Sequence, residues 1–198
     1  MQSTSKRRGF WGGLFVLAFG SITLYCAALA QGPDRELTFT REVVSQFSID
    51  HFEPFIANLS QWPKWHYSLS EAKAMDSSRK ELSTQKLQAK MQVRLKLVPP
   101  NRPWKKFEVL LSVLEYDPGR FLHLALLEDS SGRLTTLFDR LEWKIKWIPE
   151  GSGTLIQGSL LAHTSHWRSR LFGALAQRIL LNQLFYPDLI KMGNLPTS

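Results

Sequence analysis

The chain has 198 residues, a formal net charge of +8 and a single cysteine. The length suits one domain with a short appended segment. The positive charge is spread along the chain, without the dense Lys/Arg cluster typical of a nucleic-acid-binding face, so we expect no nucleic-acid partner. Because Cys26 lies in the N-terminal segment, the rest of the chain has neither a disulfide nor thiolate chemistry.

The first 30 residues have the pattern of an export signal. Arg7 and Arg8 precede the uncharged run Phe10–Ala30, and the small residues Ala28 and Ala30 form a signal-peptidase motif. The run is also just long enough to span a bilayer, so an uncleaved membrane anchor is the alternative. In both cases the basic residues stay in the cytoplasm and the domain lies outside it. We therefore expect an extracytoplasmic, periplasmic domain that is either secreted or anchored to the inner membrane.

The domain begins with a strand and a short helix. Glu36–Phe47 is rich in β-branched and aromatic residues, which predicts a strand. Phe52 and Phe55 follow with helical spacing. Pro63 disfavours a helical conformation at the preceding Trp62, so we expect the helix to end before the sequence SQWPKW.

The next part of the chain alternates apolar and polar residues. Leu87–Leu97 has an apolar residue at every second position, which predicts a strand with one dry face. Arg133–Trp147 predicts a long strand on the same grounds, with Trp143 and Ile145 facing the core. Turn sequences separate these two segments from four further predicted strands, which are His66–Met75, Lys105–Tyr116, Arg120–Glu128 and Thr154–Thr164.

The chain ends with a long amphipathic segment. His166–Met192 has a wide apolar stripe at helical spacing, which predicts one long helix. One strand, short helices, six hairpin-linked strands and a long helix together predict an α+β fold. Its seven-stranded antiparallel sheet can bury the helix only by curling around it, which leaves a core or a cavity between them.

This order of elements resembles the START-like, or SRPBCC, superfamily, which includes a polyketide cyclase/dehydrase and lipid-transport group. The resemblance covers Leu37–Met192 and rests on the stretch Arg41–Trp65, on the run of hairpins and on the helix after Thr164. It implies a helix-grip fold, in which a curved sheet wraps around the long C-terminal helix. The chain then divides into a signal or anchor segment, residues 1–30, and a START-like ligand-binding domain, residues 36–192.

Proteins of this superfamily mostly hold apolar or amphipathic small molecules between sheet and helix, and only some are enzymes. The resemblance therefore implies a protein that binds a hydrophobic or lipid-like molecule, without a cofactor or a metal. We expect the following residues to line the pocket: Trp62, Trp65, Tyr67, Met91, Val93, Trp143, Phe172, Leu175 and Ile179.

Two of these residues have more specific expected roles. Trp62 and Trp65 fall where the short helix gives way to a strand, near one rim of the expected pocket. We expect Trp62 to close the rim while its indole N–H reaches water, and Trp65 to plug the core.

Two other functions remain open. One is an enzyme of the cyclase or dehydrase kind, with Asp139 or His123 as the base, since burial raises the pKa of a carboxyl. No catalytic motif accompanies these residues, so a non-catalytic protein is our expectation. The other is a structural or partner-binding domain whose aromatic side chains fill the core. His163 and His166 lack a third ligand, so we predict no metal site.

Overall fold

The computed structural model describes residues 35–98, 105–165 and 186–195. Most of the predicted long helix, including Phe172, Leu175 and Ile179, lies outside the described residues, as do residues 1–30. No helix of the described ranges is long and apolar enough to cross a membrane. The elements are β1 (Arg35–Ser45), α1 (Ile49–Ala57), a 3-10 turn (Leu59–Gln61), α2 (Trp62–Trp65), β2 (Leu69–Met75), β3 (Gln92–Leu97), β4 (Phe107–Asp117), β5 (Phe121–Asp129), α3 (Arg133–Leu137), β6 (Arg140–Glu150), β7 (Gly153–Thr164) and α4 (Tyr186–Gly193).

The strands form one antiparallel sheet in the order β1-β7-β6-β5-β4-β3-β2. β1 pairs with the last strand, with Phe39 opposite Leu160, so the first two strands of the chain are the two edges of the sheet. Gly119 and Gly151 have φ angles of +69° and +58° in the β4–β5 and β6–β7 turns, a conformation that glycine adopts without strain. The predicted seven-stranded antiparallel sheet is confirmed.

Alternation along the strands gives the sheet an apolar face and a polar face. β7 shows the pattern most clearly, because Ile156, Gly158 and Leu160 are buried while Gln157 and Ser159 are more exposed. The apolar face continues across the strands, where Val113 pairs with Leu124, Leu124 with Trp143, and Trp143 with Leu160. Burial of this face is the main hydrophobic contribution to the stability of the sheet.

α1 and α4 pack against the apolar face near the ends of β1 and β6, which we call the helix-covered end, and α2 packs against β2 and α4. The Ser45 hydroxyl donates to the carbonyl of Gly193 at 2.8 Å and so joins β1 to the end of α4. A Cβ atom on Gly193 would lie 2.8 Å from Cγ1 of Val43, which shows how closely α4 approaches the strand. The C-terminal helix is therefore fixed against β1 at this end.

α3 corrects the prediction of one long strand over Arg133–Trp147. Gly132 has a φ angle of +66°. The Asp129 carboxylate accepts the N–H groups of Ser131 and Leu134 at 2.9 and 2.8 Å. These local hydrogen bonds start a helical turn, and β6 begins only at Arg140.

β3 is shorter than the alternating segment Leu87–Leu97 predicts. Regular pairing begins at Gln92, because Lys90 has a φ angle of +69° and interrupts the extended chain. Leu87 and Met91 are buried all the same, and the N–H of Leu87 donates to the carbonyl of Ala57 at 2.7 Å. The prediction of a strand is therefore wrong over residues 87–91, and of the predicted dry side there, Leu87 and Met91 are buried but Ala89 is exposed.

Candidate ligand-binding site

The apolar face presents large aliphatic side chains from its central strands. Trp143 lies among them, between Leu124 and Leu160, and is more exposed than either. The predicted inward direction of Val93, Trp143 and Ile145 is confirmed. Eleven aliphatic side chains of this face are at most 5% exposed: Val93, Leu95, Val109, Leu111, Val113, Leu122, Leu124, Leu141, Ile145, Ile156 and Leu160.

Two polar atoms on this face have no hydrogen-bond partner among the described residues. The Tyr116 hydroxyl and the Trp147 indole N–H are buried and unpaired. Tyr116 pairs across β4 and β5 with Leu122, and Trp147 pairs across β6 and β7 with Ile156, so both side chains share the face of these core residues. A buried polar atom without a partner is rare, because the loss of its hydration costs free energy that nothing offsets.

The surroundings of Tyr116 keep its hydroxyl protonated. Burial raises the pKa of Tyr116, and the negative charges of Glu53 on α1 and of the neighbouring Asp117 raise it further. The phenol is therefore neutral at ordinary pH and can donate or accept a hydrogen bond. The indole of Trp147 can only donate.

Two further unpaired atoms in the described ranges lie elsewhere. The hydroxyl of Thr164 belongs to the apolar face, but Thr164 is eight residues from Ile156, which is about 26 Å along a strand. The side-chain carbonyl of Gln92 is on the polar face, because its neighbour Val93 points into the core. Only Tyr116 and Trp147 lie together at the helix-covered end.

Trp62 and Trp65 lie in the core, which corrects the expected contact of the Trp62 N–H with water. Trp62 is 1% exposed and Trp65 is 4% exposed. The indole N–H of Trp62 donates to the carbonyl of Ile56 at 2.9 Å, and that of Trp65 donates to the carbonyl of Phe55 at 3.3 Å. α1 ends at Ala57, before SQWPKW, as predicted. Trp62 is nevertheless helical, because WPKW forms a separate helical turn with Pro63 in a first-turn position where no N–H is needed.

Met91 and Tyr67, two other predicted pocket residues, differ in their exposure to solvent. Met91 is 8% exposed and packs in the main core, next to β3. Tyr67 follows α2 and is 51% exposed, so its ring lies mostly in solvent. Contact of either residue with a ligand remains a prediction.

A buried polar cluster joins α2 to α4. Oδ1 of Asp188 accepts the N–H of Tyr67 at 2.5 Å and lies 3.3 Å from Nδ1 of His66, while Lys191 donates to the carbonyl of Pro63 at 3.2 Å. Burial raises the pKa of Asp188 to about 8, although the Tyr67 N–H and the Lys191 charge oppose the rise. Burial, and then the Lys191 charge, lower the pKa of His66 to about 4. Both groups are therefore neutral near pH 7 and form a neutral contact.

His123 is not a base on the apolar face. It lies on the polar face, with Nε2 2.9 Å from Oε2 of the buried Glu142, and the other oxygen of Glu142 accepts from Arg140. Burial alone would raise the pKa of Glu142, but the hydrogen bonds from His123 and Arg140 outweigh it and hold that pKa below its ordinary value. This corrects the interpretation of His123 as a pocket base.

Asp139 joins the start of β6 to the end of β7. Its carboxylate accepts the N–H of Ser165 and lies 3.6 Å from Nδ1 of His163. Among the residues that the structure describes, no three His, Cys, Asp or Glu side chains are grouped as metal ligands.

The alternation that faces Trp143 and Ile145 inward also puts Trp147 on the apolar face, but sequence reasoning missed Tyr116. The pairing of β4 with β5 shifts by one residue between Val113 and Glu115, so the alternation that identifies Val113 as inward gives the wrong face for Tyr116. The unpaired state of both polar atoms depends on packing between distant segments, which a sequence pattern does not contain.

Comparison with known proteins gives information about the fold only. No family model and no curated protein matches the sequence. Norcoclaurine synthase from Thalictrum flavum, solved in complex with dopamine and hydroxybenzaldehyde, has a TM-score of 0.57 at 11% identity, over 82% of this chain and 87% of that one. Ara h 8.0201 has a TM-score of 0.55 at 12% identity, over 80% and 96% of the two chains. The di-domain ARO/CYC StfQ from the steffimycin biosynthetic pathway has a TM-score of 0.56 at 9% identity, over 81% of this chain and 50% of that one.

These similarities define the class of fold. A seven-stranded antiparallel sheet with a C-terminal helix is common to this chain and the structures it resembles, and it is the START-like, helix-grip fold. The fold class predicted from the sequence is confirmed. Such low identities carry no conclusion about ligand or reaction.

Proposed function

We propose that this chain is an exported, non-catalytic domain that binds a hydrophobic or lipid-like small molecule on the apolar face of its sheet. The observation that carries the proposal is the apolar face that aliphatic side chains form across the central strands of the sheet. A ligand site of this kind is mostly apolar, with few polar groups to fix orientation. Norcoclaurine synthase, whose fold this chain resembles, was solved with dopamine and hydroxybenzaldehyde, which supports binding of a small molecule by this fold.

The exposure of Trp143 adds support. In a tightly packed core a large indole at the centre of the face would be as buried as Leu124 and Leu160 beside it. Its greater exposure is consistent with open space over the middle of the sheet. An apolar ligand there would supply the contacts that the indole lacks on one side.

Binding is tested with a neutral fluorescent probe. N-phenyl-1-naphthylamine gains fluorescence in apolar surroundings, so we expect a saturable increase on titration with the full chain. Trp143→Ala should weaken probe binding, whereas Ile148→Ala, which changes a 40%-exposed residue of the polar face, is the matched control. Mass spectrometry of an organic extract of natively purified protein would identify the natural ligand. Absence of probe binding would favour the alternative of a structural domain with a filled core.

Export is the second part of the proposal. The basic start and the uncharged run Phe10–Ala30 support it. A reporter that is active only outside the cytoplasm, fused after Ser198, should be active. An N-terminal sequence that starts at Gln31 would identify a cleaved signal peptide, and an intact N-terminus in the membrane fraction would identify an anchor. Activity from a cytoplasmic reporter alone would contradict export.

A further inference from the structure

The helix-covered end of the apolar face carries a polar pair, Tyr116 and Trp147. They stand on β4 and β6 with β5 between them, so their strands are about 10 Å apart. Trp147 is 3% exposed, and in the part of the chain that the structure describes neither its N–H nor the Tyr116 hydroxyl has a partner. Their neighbours on the sheet are Leu122, Ile145 and Ile156, which are apolar and buried.

We propose that this polar pair binds the oxygen-bearing end of the ligand, and that the ligand is a neutral apolar molecule with a carbonyl group at that end. The inference rests on the proposed function and adds the orientation and chemical class of the ligand. Trp147 is a donor only, so the ligand atom beside it must be an acceptor. A ligand with a carbonyl oxygen at Trp147 and a second oxygen at Tyr116 would span the distance between the two strands.

The charges around the pair favour a neutral ligand over an anion. Glu53 and Asp117 place negative charge near the Tyr116 hydroxyl. A carboxylate at this point would meet two like charges and would lose its hydration on an apolar face. A carbonyl oxygen accepts the same hydrogen bonds without that cost. A hydrocarbon of equal shape would leave both donors unpaired.

Three naphthalene derivatives test the inference by displacement of N-phenyl-1-naphthylamine from the full chain. They are 2-acetylnaphthalene, with a neutral carbonyl, 2-ethylnaphthalene, without oxygen, and the anion 2-naphthoate. We expect the ketone to bind about tenfold more tightly than the hydrocarbon, the gain of one good hydrogen bond, and more tightly than the anion. Because 2-acetylnaphthalene carries one oxygen, Trp147→Phe, which keeps an aromatic ring but removes the N–H, should lower the ketone-to-hydrocarbon affinity ratio by about three- to tenfold, and Tyr116→Phe should lower it less.

Thr40→Val is the matched control, because it removes a hydroxyl from the polar face, where Thr40 contacts Ser159 at 3.1 Å. It should leave the affinity ratio unchanged. Probe binding with equal affinity for ketone and hydrocarbon, or an unchanged ratio in both Phe variants, would overturn this inference and leave the proposed function standing. Tighter binding of 2-naphthoate than of the ketone would overturn the neutral class. Failure of the wild-type chain to bind the probe would overturn the proposed function and this inference with it.

Discussion

The segment around α2 and the apolar face of the sheet both contain buried aromatic residues, but they differ in whether the polar atoms of those residues are hydrogen-bonded. Around α2, the N–H groups of Trp62 and Trp65 donate to backbone carbonyls at 2.9 and 3.3 Å. On the sheet, the Trp147 N–H and the Tyr116 hydroxyl have no partner within residues 35–98, 105–165 and 186–195. The polar atoms of buried aromatic residues are therefore hydrogen-bonded around α2 and unpaired on the sheet.

The difference separates residues that maintain the fold from residues available to a ligand. A satisfied buried indole contributes packing and a net hydrogen bond to stability. An unsatisfied one lowers stability until a partner arrives, and a strained or incomplete local environment is often retained for function. On this basis the aromatic junction of α2 is structural, and the polar pair on the sheet is the better candidate for ligand recognition.

The largest expected effect is on stability at α2. Trp62→Ala removes a 1%-exposed indole and should lower the free energy of unfolding by about 3–5 kcal/mol. Trp62→Phe keeps a ring but leaves the carbonyl of Ile56 unpaired, so it should cost less. Urea unfolding of both variants is the measurement. A Trp62→Ala protein as stable as wild type, with weaker probe binding, would restore the rim interpretation of Trp62.

A smaller loss of stability is expected from a substitution at the centre of the sheet. Trp143 has fewer contacts than a core indole, so Trp143→Ala should cost about 1–3 kcal/mol in the ligand-free protein. Trp147→Ala, at a 3%-exposed position of the same strand, should cost more and is the comparison. Equal losses in the two variants would mean that Trp143 is packed as tightly as the core and that no open space lies above it.

The cluster of His66 and Asp188 should make stability depend on pH. Burial raises the pKa of Asp188 from 3.8 to about 8, so its contribution to stability is complete at low pH and is lost as pH rises toward 8. Burial lowers the pKa of His66 from 6.5 to about 4, so its contribution is lost as pH falls through that range. Below pH 6.5 the two groups change stability in opposite directions as pH rises. Above pH 6.5 only the loss of stability from Asp188 remains.

Asp188→Asn tests this pH dependence. The amide oxygen can still accept the N–H of Tyr67, but the group no longer titrates. We expect the melting temperature of wild type to fall between about pH 6.5 and 8 and that of Asp188→Asn to stay level there. Asp50→Asn changes an exposed carboxyl of α1 and is the control. Parallel curves for wild type and Asp188→Asn would show that Asp188 is charged in the folded protein.

The smallest effect is expected for the polar pair without ligand. Tyr116→Phe removes an unpaired buried hydroxyl, so we expect stability to be unchanged or to rise by up to about 1 kcal/mol. Trp62→Phe, which removes a paired N–H, should change stability in the opposite direction. A clear loss of stability in ligand-free Tyr116→Phe would mean that the hydroxyl has a partner in the folded protein and would remove the contrast between the two regions.

The sequence predicted the sheet well because strand alternation records directly which face is buried. It placed Trp143 and Ile145 correctly for that reason. It missed α3, where Asp129 and Gly132 begin a helical turn inside an alternating segment. It also missed the contact of His66 with Asp188, since residues far apart in sequence carry no shared local pattern. The predicted pocket residues of the long helix remain predictions.

The most direct test of the account is the indole N–H spectrum of the full chain during titration with 2-acetylnaphthalene. The ¹H–¹⁵N signals of Trp62, Trp65 and Trp147 can be assigned with single Trp→Phe variants. We predict that the Trp147 signal moves downfield as its N–H gains a carbonyl partner, while the signals of Trp62 and Trp65, already bonded to Ile56 and Phe55, stay in place. A Trp147 signal unmoved at saturation, or a shift confined to Trp62 and Trp65, would contradict the account.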